Sequence, residues 1–155
     1  MEFIIIIVGL VLDRITKIWA GGFLMKVQEI VIIKDIFSFS YLENRGAAFG
    51  IFQNKVMILS FITILVILGM IFYLVKYRPA SKLLKTSIAL IISGALGNLF
   101  DRLYYKYVVD FIMFHYKDAY YFPTFNVADM MVVIGTALLV LYLLKEDKNN
   151  GKVGV

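Results

Sequence analysis

The chain has 155 residues, of which 61% are hydrophobic and only 17% are charged, and its mean hydropathy is +0.85. Soluble domains carry about 25% charged residues, so the composition excludes an ordinary soluble protein and predicts an integral membrane protein. Cysteine is absent and histidine occurs once, which excludes disulfides and a thiol nucleophile and argues against a zinc site. The net charge of +5 has to be assigned to particular loops, and it does not indicate a nucleic-acid partner.

The apolar residues form four segments, at 3–20, 56–75, 86–100 and 125–144. A helix needs about 20 predominantly apolar residues to cross a membrane, and the third segment reaches that length by continuing to residue 105. We therefore predict an all-α membrane protein with four transmembrane helices, at about 3–20, 56–75, 86–105 and 125–144, in one domain that covers residues 1–155.

The orientation of these helices follows from the basic residues. The connection 76–85 contains four basic residues and no acidic residue, which is typical of a cytoplasmic loop. With four spans, both termini then lie in the cytoplasm and the loops 21–55 and 106–124 face outside. The opening Met1-Glu2-Phe3 lacks the positive region of a cleaved signal peptide, so we expect the first helix to be retained. The polar tail 145–155 is expected to be disordered.

The outer loops contain two strand signals. Residues 36–41 alternate with a period of two, as in a half-buried strand. Residues 107–112 are rich in β-branched and aromatic residues and form a second candidate. Asn44-Arg45-Gly46 predicts a turn. We expect a small β-sheet on the outer surface, where it could hold an extended peptide by main-chain pairing.

Two aspartates lie where a membrane protein normally avoids a carboxylate. Asp129 stands near the start of the last apolar segment, and Asp110 follows a short apolar stretch. A charge near hydrocarbon costs at least a few kcal/mol, so such residues indicate function. Two neighbouring carboxylates in a low-dielectric site share a proton. The ionised one can activate a water while the protonated one polarises a peptide carbonyl, which needs no metal or cofactor.

The predicted topology brings further polar residues to the same outer side. The ends of three helices and the first outer loop contribute Asp13, Lys17, Asn44, Arg45, Asn98, Asp101, Arg102 and Asn126. Such convergence at one membrane surface favours a single polar site near Asp110 and Asp129.

Several of these residues also have a structural interpretation. Asn126 and Asp129 could be the N-cap and N3 residues of the last helix. Asp13 and Lys17 form an i,i+4 pair of opposite charge, which is often only structural. Gly97 could permit close helix packing.

Two other classes of function are compatible with the residues. A small ion or proton carrier would also place carboxylates in its helices, but it needs polar groups through the membrane depth, and residues 56–75 offer almost none. In a non-enzymatic membrane adaptor, the aspartates would serve only as helix caps and ion-pair partners.

Five short motifs carry a resemblance to a known family. They are Asp13-Arg14-Ile15-Thr16-Lys17, Asn44-Arg45-Gly46-Ala47-Ala48-Phe49, Gly97-Asn98-Leu99-Phe100-Asp101-Arg102, Val108-Val109-Asp110-Phe111 and Phe125-Asn126-Val127-Ala128-Asp129. In this order, on a chain of this length, they resemble the prolipoprotein signal peptidases, or signal peptidase II. Two flanking positions depart from the family pattern: Lys106-Tyr107 stands where a glycine is common, and Met130 where a serine is common.

The resemblance implies an aspartic endopeptidase of the bacterial plasma membrane, active at the extracytoplasmic face. Its substrates would be diacylglyceryl-modified prolipoproteins, cut just before the lipidated cysteine. It further implies a protein that works in membrane lipid as a monomer. Asp110 and Asp129 would be the catalytic dyad. The remaining assignments are Asn44, Asn98, Arg102 and Asn126 for positioning the substrate or the dyad, and Asp13, Lys17, Asp101 and Gly97 for supporting the site.

Overall fold

The computed structural model describes residues 1–46, 55–117 and 119–150, and it contains four long helices. They are α1 (Glu2–Trp19), α2 (Val56–Tyr77), α3 (Lys82–Tyr104) and α4 (Val127–Asn150). All four coincide with the apolar segments of the sequence. The first helical segment runs beyond the predicted end at residue 20, through a π-helical turn, Ala20–Leu24, and a last turn, Met25–Val27.

The helix boundaries differ from the prediction at the start of α3 and at the end of α4. α3 begins four residues early because the Ser81 hydroxyl accepts a hydrogen bond from the Leu84 N–H. α4 continues to Asn150, so the expectation of disorder is wrong for residues 145–150. These residues are polar, and they extend a helix that is already formed, which avoids the unfavourable step of helix nucleation. Residues 151–155 lie outside the described part of the chain.

Three of the described helices are long and apolar enough to cross a membrane: α2, α3 and Val127–Asp147 of α4. α1 has 18 residues and includes four charged ones. The fourth span and the cytoplasmic placement of both termini therefore stay predictions.

The segments that connect α1 to α2 and α3 to α4 form a four-stranded antiparallel sheet. Its strands are β1 (Glu29–Ile33), β2 (Phe37–Asn44), β3 (Val108–Tyr116) and β4 (Tyr120–Tyr121), in the order β1-β2-β3-β4. The two predicted strands are confirmed as β2 and β3. The sequence reasoning missed β1, whose apolar run lacks the alternation of a half-buried strand, and β4, which has only two residues.

The sheet is seated on the end of α1 by apolar packing. Val109 and Phe111 of β3 lie in one buried cluster with Ala20 and Leu24 of the π-helical turn. Asp110 stands between these two core residues, so its backbone position is fixed by packing on both sides. α3 contacts each of the other three helices and lies at the centre of the bundle.

Candidate active site

Asp110 and Asp129 lie at the junction of the sheet and the bundle. Asp110 is on β3 and only 1% exposed, and Asp129 is half-buried in the first turn of α4. Both line one cavity of about 1340 Å³. Main-chain hydrogen bonds between Phe125 and Ile112, 2.8 and 3.1 Å long, fasten the start of α4 to β3. Residues 19 positions apart in the sequence therefore face the same cavity.

Asn126 serves both interpretations that the sequence left open. Its Oδ1 accepts the Asp129 N–H at 2.9 Å, and Asp129 Oδ2 accepts the Asn126 N–H at 3.1 Å. This reciprocal pair is a helix-capping arrangement. The Asn126 Nδ2 donates in addition to Asp110 Oδ1 at 2.6 Å. The cap of α4 is thus also the side chain that links the two aspartates.

Two further amides hold the carboxylates. Asn98 Nδ2 donates to Asp129 Oδ1 at 2.7 Å, and Asn44 Nδ2 donates to Asp110 Oδ2 at 2.8 Å. The Asn44 Oδ1 accepts the Gly46 N–H at 2.9 Å, which forms the predicted turn. Each carboxylate oxygen therefore accepts a hydrogen bond from a neutral donor. Residues 47–49 of this motif lie outside the described part.

Arg102 lines the same cavity without pairing with the aspartates. One guanidinium nitrogen, Nη2, donates to the Gly46 carbonyl oxygen at 3.4 Å. Its charge acts on Asp129 and Asp110 through space. In the described part of the chain, neither of these carboxylates forms an ion pair.

A buried ion cluster lies directly behind the amides. Lys17 Nζ contacts Asp13 Oδ2 at 3.0 Å, Asp101 Oδ2 at 2.9 Å and Asn98 Oδ1 at 2.9 Å, and the lysine side chain is fully buried. Asp13 Oδ1 accepts the Ala128 N–H at 3.1 Å, so α1 also caps the first turn of α4.

Gly97 leaves room for this cluster. A Cβ atom at Gly97 would lie 2.5 Å from Asp13 Oδ2 and 3.3 Å from the Cβ of Ala128. Both distances are shorter than ordinary contacts, so the helices and the Asp13 carboxylate approach as closely as they do because this residue is glycine.

The sequence reasoning assigned no role to Arg14. Its Nη1 pairs with Asp101 Oδ1 at 2.8 Å, and its guanidinium lies over the ring of Phe100 at 5.0 Å from the centroid. The signal was its spacing, three residues before Lys17, which puts both cations on one face of α1.

Burial and, next, the neighbouring charge of Asp129 raise the pKa of Asp110 to about 7, against the hydrogen bonds from Asn44 and Asn126 and the charge of Lys17, which lower it. A carboxyl of this pKa carries a proton in a large fraction of molecules at neutral pH.

Among the described residues, no group of three or more His, Asp or Glu side chains is placed to hold a metal ion.

The fold is that of a bacterial membrane enzyme. Two solved structures so described, both obtained by the in meso method, resemble it with TM-scores of 0.86 and 0.81. They are 31% and 30% identical to this chain. The first similarity covers 96% of this chain and 90% of the other, and the second covers 93% and 92%.

The chain belongs to the signal peptidase II family. A family model described as signal peptidase (SPase) II matches residues 5–145. A lipoprotein signal peptidase of Clostridium novyi is 58% identical, over 96% of this chain and 100% of the relative, and one of Clostridium acetobutylicum is 56% identical, over 99% and 100%. The resemblance found in the five motifs is confirmed. As a member of this family, the chain is a membrane protease. This disagrees with the two alternatives, an ion or proton carrier and a non-enzymatic adaptor.

Proposed function

We propose that this protein removes the signal peptide from diacylglyceryl-modified prolipoproteins, by cleavage just before the lipidated cysteine, with Asp110 and Asp129 as the catalytic dyad. The observation that carries the dyad is geometric. Two carboxylates face one cavity, are joined through Asn126, and accept hydrogen bonds from side-chain amides and one backbone N–H. The relatives named as lipoprotein signal peptidases support the substrate class.

The proposed chemistry uses one proton shared between the two aspartates. Asp110, with a pKa of about 7, holds the proton and donates it towards the carbonyl oxygen of the scissile bond. Asp129 accepts a proton from the water that attacks the carbonyl carbon. The tetrahedral intermediate then collapses with cleavage of the C–N bond: Asp129 gives its proton to the leaving amine of the cysteine, and Asp110 takes a proton back from one hydroxyl as the carbonyl re-forms, which restores the starting protonation of the pair. Arg102, whose charge acts on both carboxylates, contributes to positioning the substrate.

The proposed orientation places the dyad at the extracytoplasmic face. Lys85, in the basic connection, and Asn98, in the site, are 13 residues apart on α3, which is about 20 Å along a helix. The basic connection and the site therefore lie near opposite ends of α3. A cytoplasmic basic loop puts the site outside, with both termini in the cytoplasm if α1 spans as well.

The cavity suits a substrate that is both peptide and lipid. Its lining includes the polar side chains of Asn44, Asn98 and Arg102. It also includes apolar residues of α2, α3 and α4, namely Ile62, Val66, Ile91 and Val133. Polar groups beside the dyad can bind a peptide main chain, and an apolar cleft between helices can bind acyl chains.

The test is incubation of the purified protein in lipid with a diacylglyceryl-modified prolipoprotein, followed by mass determination of both products. The wild type is expected to cut before the modified cysteine, and neither Asp110→Asn nor Asp129→Asn is expected to cut. Asp35→Asn is the matched control, because Asp35 is exposed and its φ of 62° is one that asparagine accepts readily. Cleavage by both dyad variants at the rate of the control would refute the assignment.

A further inference from the structure

The orientation of the Asn98 side-chain amide decides whether Asp129 faces a hydrogen-bond donor or an acceptor. The Asn98 Oδ1 accepts from Lys17 Nζ at 2.9 Å and from Asn126 Nδ2 at 3.2 Å, and the Asn98 Nδ2 donates to Asp129 Oδ1 at 2.7 Å. The two ends of an amide have nearly the same shape but opposite hydrogen-bonding character. Only the partners at each end can decide which way the group points.

We infer that Lys17 is a positioning residue of the catalytic site, because its ammonium fixes the direction of the Asn98 amide and so aims a donor at Asp129. The inference rests on the proposed function and deepens it. An ammonium has donors only. A reversed amide would place two donors together at Lys17 and two acceptors together at Asp129, both in buried surroundings, where such groups are costly.

The three site amides differ in the donors that hold their oxygen atoms, and only the Asn98 oxygen accepts from a cation. The Oδ1 atoms of Asn44 and Asn126 are held by the backbone N–H groups of Gly46 and Asp129. Those two amides lie at the end of a strand and at a helix N-terminus, where backbone N–H groups are free to donate. Asn98 lies inside α3, where the backbone N–H groups are engaged in the helix. Its donors come from other elements: α1 supplies Lys17 at 2.9 Å, and α4 supplies the Asn126 Nδ2 at 3.2 Å, a donor that lies closer to Asp110 at 2.6 Å. Lys17 is therefore the nearer donor to Asn98 Oδ1 and the charged one.

The ion cluster around Lys17 holds the ammonium in place. Asp13 and Asp101 accept its other two N–H groups, and Arg14 pairs with the second oxygen of Asp101. Two cations thus balance two carboxylates. A buried ion cluster of this kind is often no more stabilising than apolar residues of similar volume. A gain in stability therefore does not explain this ion cluster, whereas its role in orienting the Asn98 amide does.

The experiment is a double-mutant cycle between Lys17 and Asn98, made on an Asp13→Asn background so that removal of Lys17 leaves Arg14 and Asp101 as one balanced pair. Lys17→Met alone leaves two buried carboxylates, so it is combined with Asp13→Asn. The asparagine Oδ1 can still accept the Ala128 N–H. Asp13→Asn alone is the matched control, and all variants are compared by kcat, KM and thermal unfolding on the diacylglyceryl-modified prolipoprotein.

We expect the Asp13→Asn/Lys17→Met variant to have a kcat about tenfold or more below that of Asp13→Asn, with KM within about twofold. The reason is loss of the hydrogen bond from Asn98 Nδ2 to the charged Asp129. On an Asn98→Ala background, the same Lys17 change should lower kcat by less than about twofold, because the amide that it aims is gone. An equal loss on both backgrounds, or a loss confined to KM, would overturn the inference. Absence of cleavage by the wild type would instead refute the proposed function.

Discussion

Two pairs of aspartates lie close to each other in this molecule and are held in opposite ways. Asp13 and Asp101 are paired with Lys17 and Arg14 at distances of 2.8 to 3.0 Å. Asp110 and Asp129 accept hydrogen bonds from amides and one backbone N–H, and the described residues include no ion-pair partner for them.

The difference separates a structural carboxylate from a reactive one. A cation in contact favours the ionised form of a carboxylate and holds its oxygens in place. An amide holds the group in place but supplies only a dipole, so the charge of the pair can still change during a reaction. The first pair is therefore suited to fixing positions, and the second to exchanging a proton. Variants that add or remove one feature of either pair test this contrast.

The largest effect is expected from removing the cation of the first pair. Lys17→Met should lower the free energy of unfolding by about 3–5 kcal/mol, because it leaves uncompensated buried carboxylates. Denaturant unfolding in detergent measures this. The Asp13→Asn/Lys17→Met variant should lose clearly less. Equal losses in the two variants would mean that charge compensation is not what Lys17 provides to the fold.

The next effect separates the two tasks of Asn126. Asn126→Ser keeps a good helix cap but removes the Nδ2 that donates to Asp110. We expect kcat to fall by about 10–100-fold, as for loss of one hydrogen bond to a charged group, with stability reduced by less than about 1 kcal/mol. Cleavage assays and thermal unfolding report the two quantities. An unchanged kcat would show that the link between the aspartates is not needed.

A smaller effect is expected from filling the space beside the first pair. Gly97→Ala places a Cβ 2.5 Å from Asp13 Oδ2, which should destabilise the fold by about 1–3 kcal/mol through overpacking. Gly69→Ala is the matched control, since no heavy atom lies within 4 Å of a Cβ there. The comparison is made by thermal unfolding. Equal stability of the two alanine variants would contradict the close approach of α1, α3 and α4.

The last effect concerns the dependence of stability on pH. The pKa of Asp110 is raised from 3.8 to about 7 in the folded protein, so the folded state binds this proton more tightly than the unfolded chain. Stability should therefore fall as pH rises from about 4 to 7. Thermal unfolding of Asp110→Asn should show a flatter slope in this window than that of the wild type or Asp35→Asn. Parallel curves of stability against pH for all three proteins would contradict a raised pKa at Asp110.

The sequence predicted the parts of this structure that depend on local pattern. The four apolar segments, the alternation of β2 and the placement of Asp129 at a helix start all follow from periodicity and capping rules. Among the buried charges, the Asp13–Lys17 pair follows from its i,i+4 spacing. The partners that lie in other elements did not follow from the sequence. Arg14 and Asp101 are 87 residues apart, and only the packing of α1 against α3 brings them together.

A family departure noted in the sequence also becomes clear only in three dimensions. Lys106 stands near where the family often has glycine, and its φ is 67°, in the left-handed region that glycine adopts most easily. Its Nζ donates to the Leu103 carbonyl oxygen at 2.8 Å. A non-glycine residue thus occupies the positive-φ position of the turn that leads α3 into β3.

The most direct test of the dyad separates substrate binding from bond cleavage. Single-turnover reactions of Asp110→Asn and Asp129→Asn with the diacylglyceryl-modified prolipoprotein should show binding within about threefold of the wild type and no detectable cleavage, because the lost group acts in the transition state. Cleavage by either variant within about tenfold of the wild-type rate, with binding intact, would contradict the shared-proton role of the two aspartates.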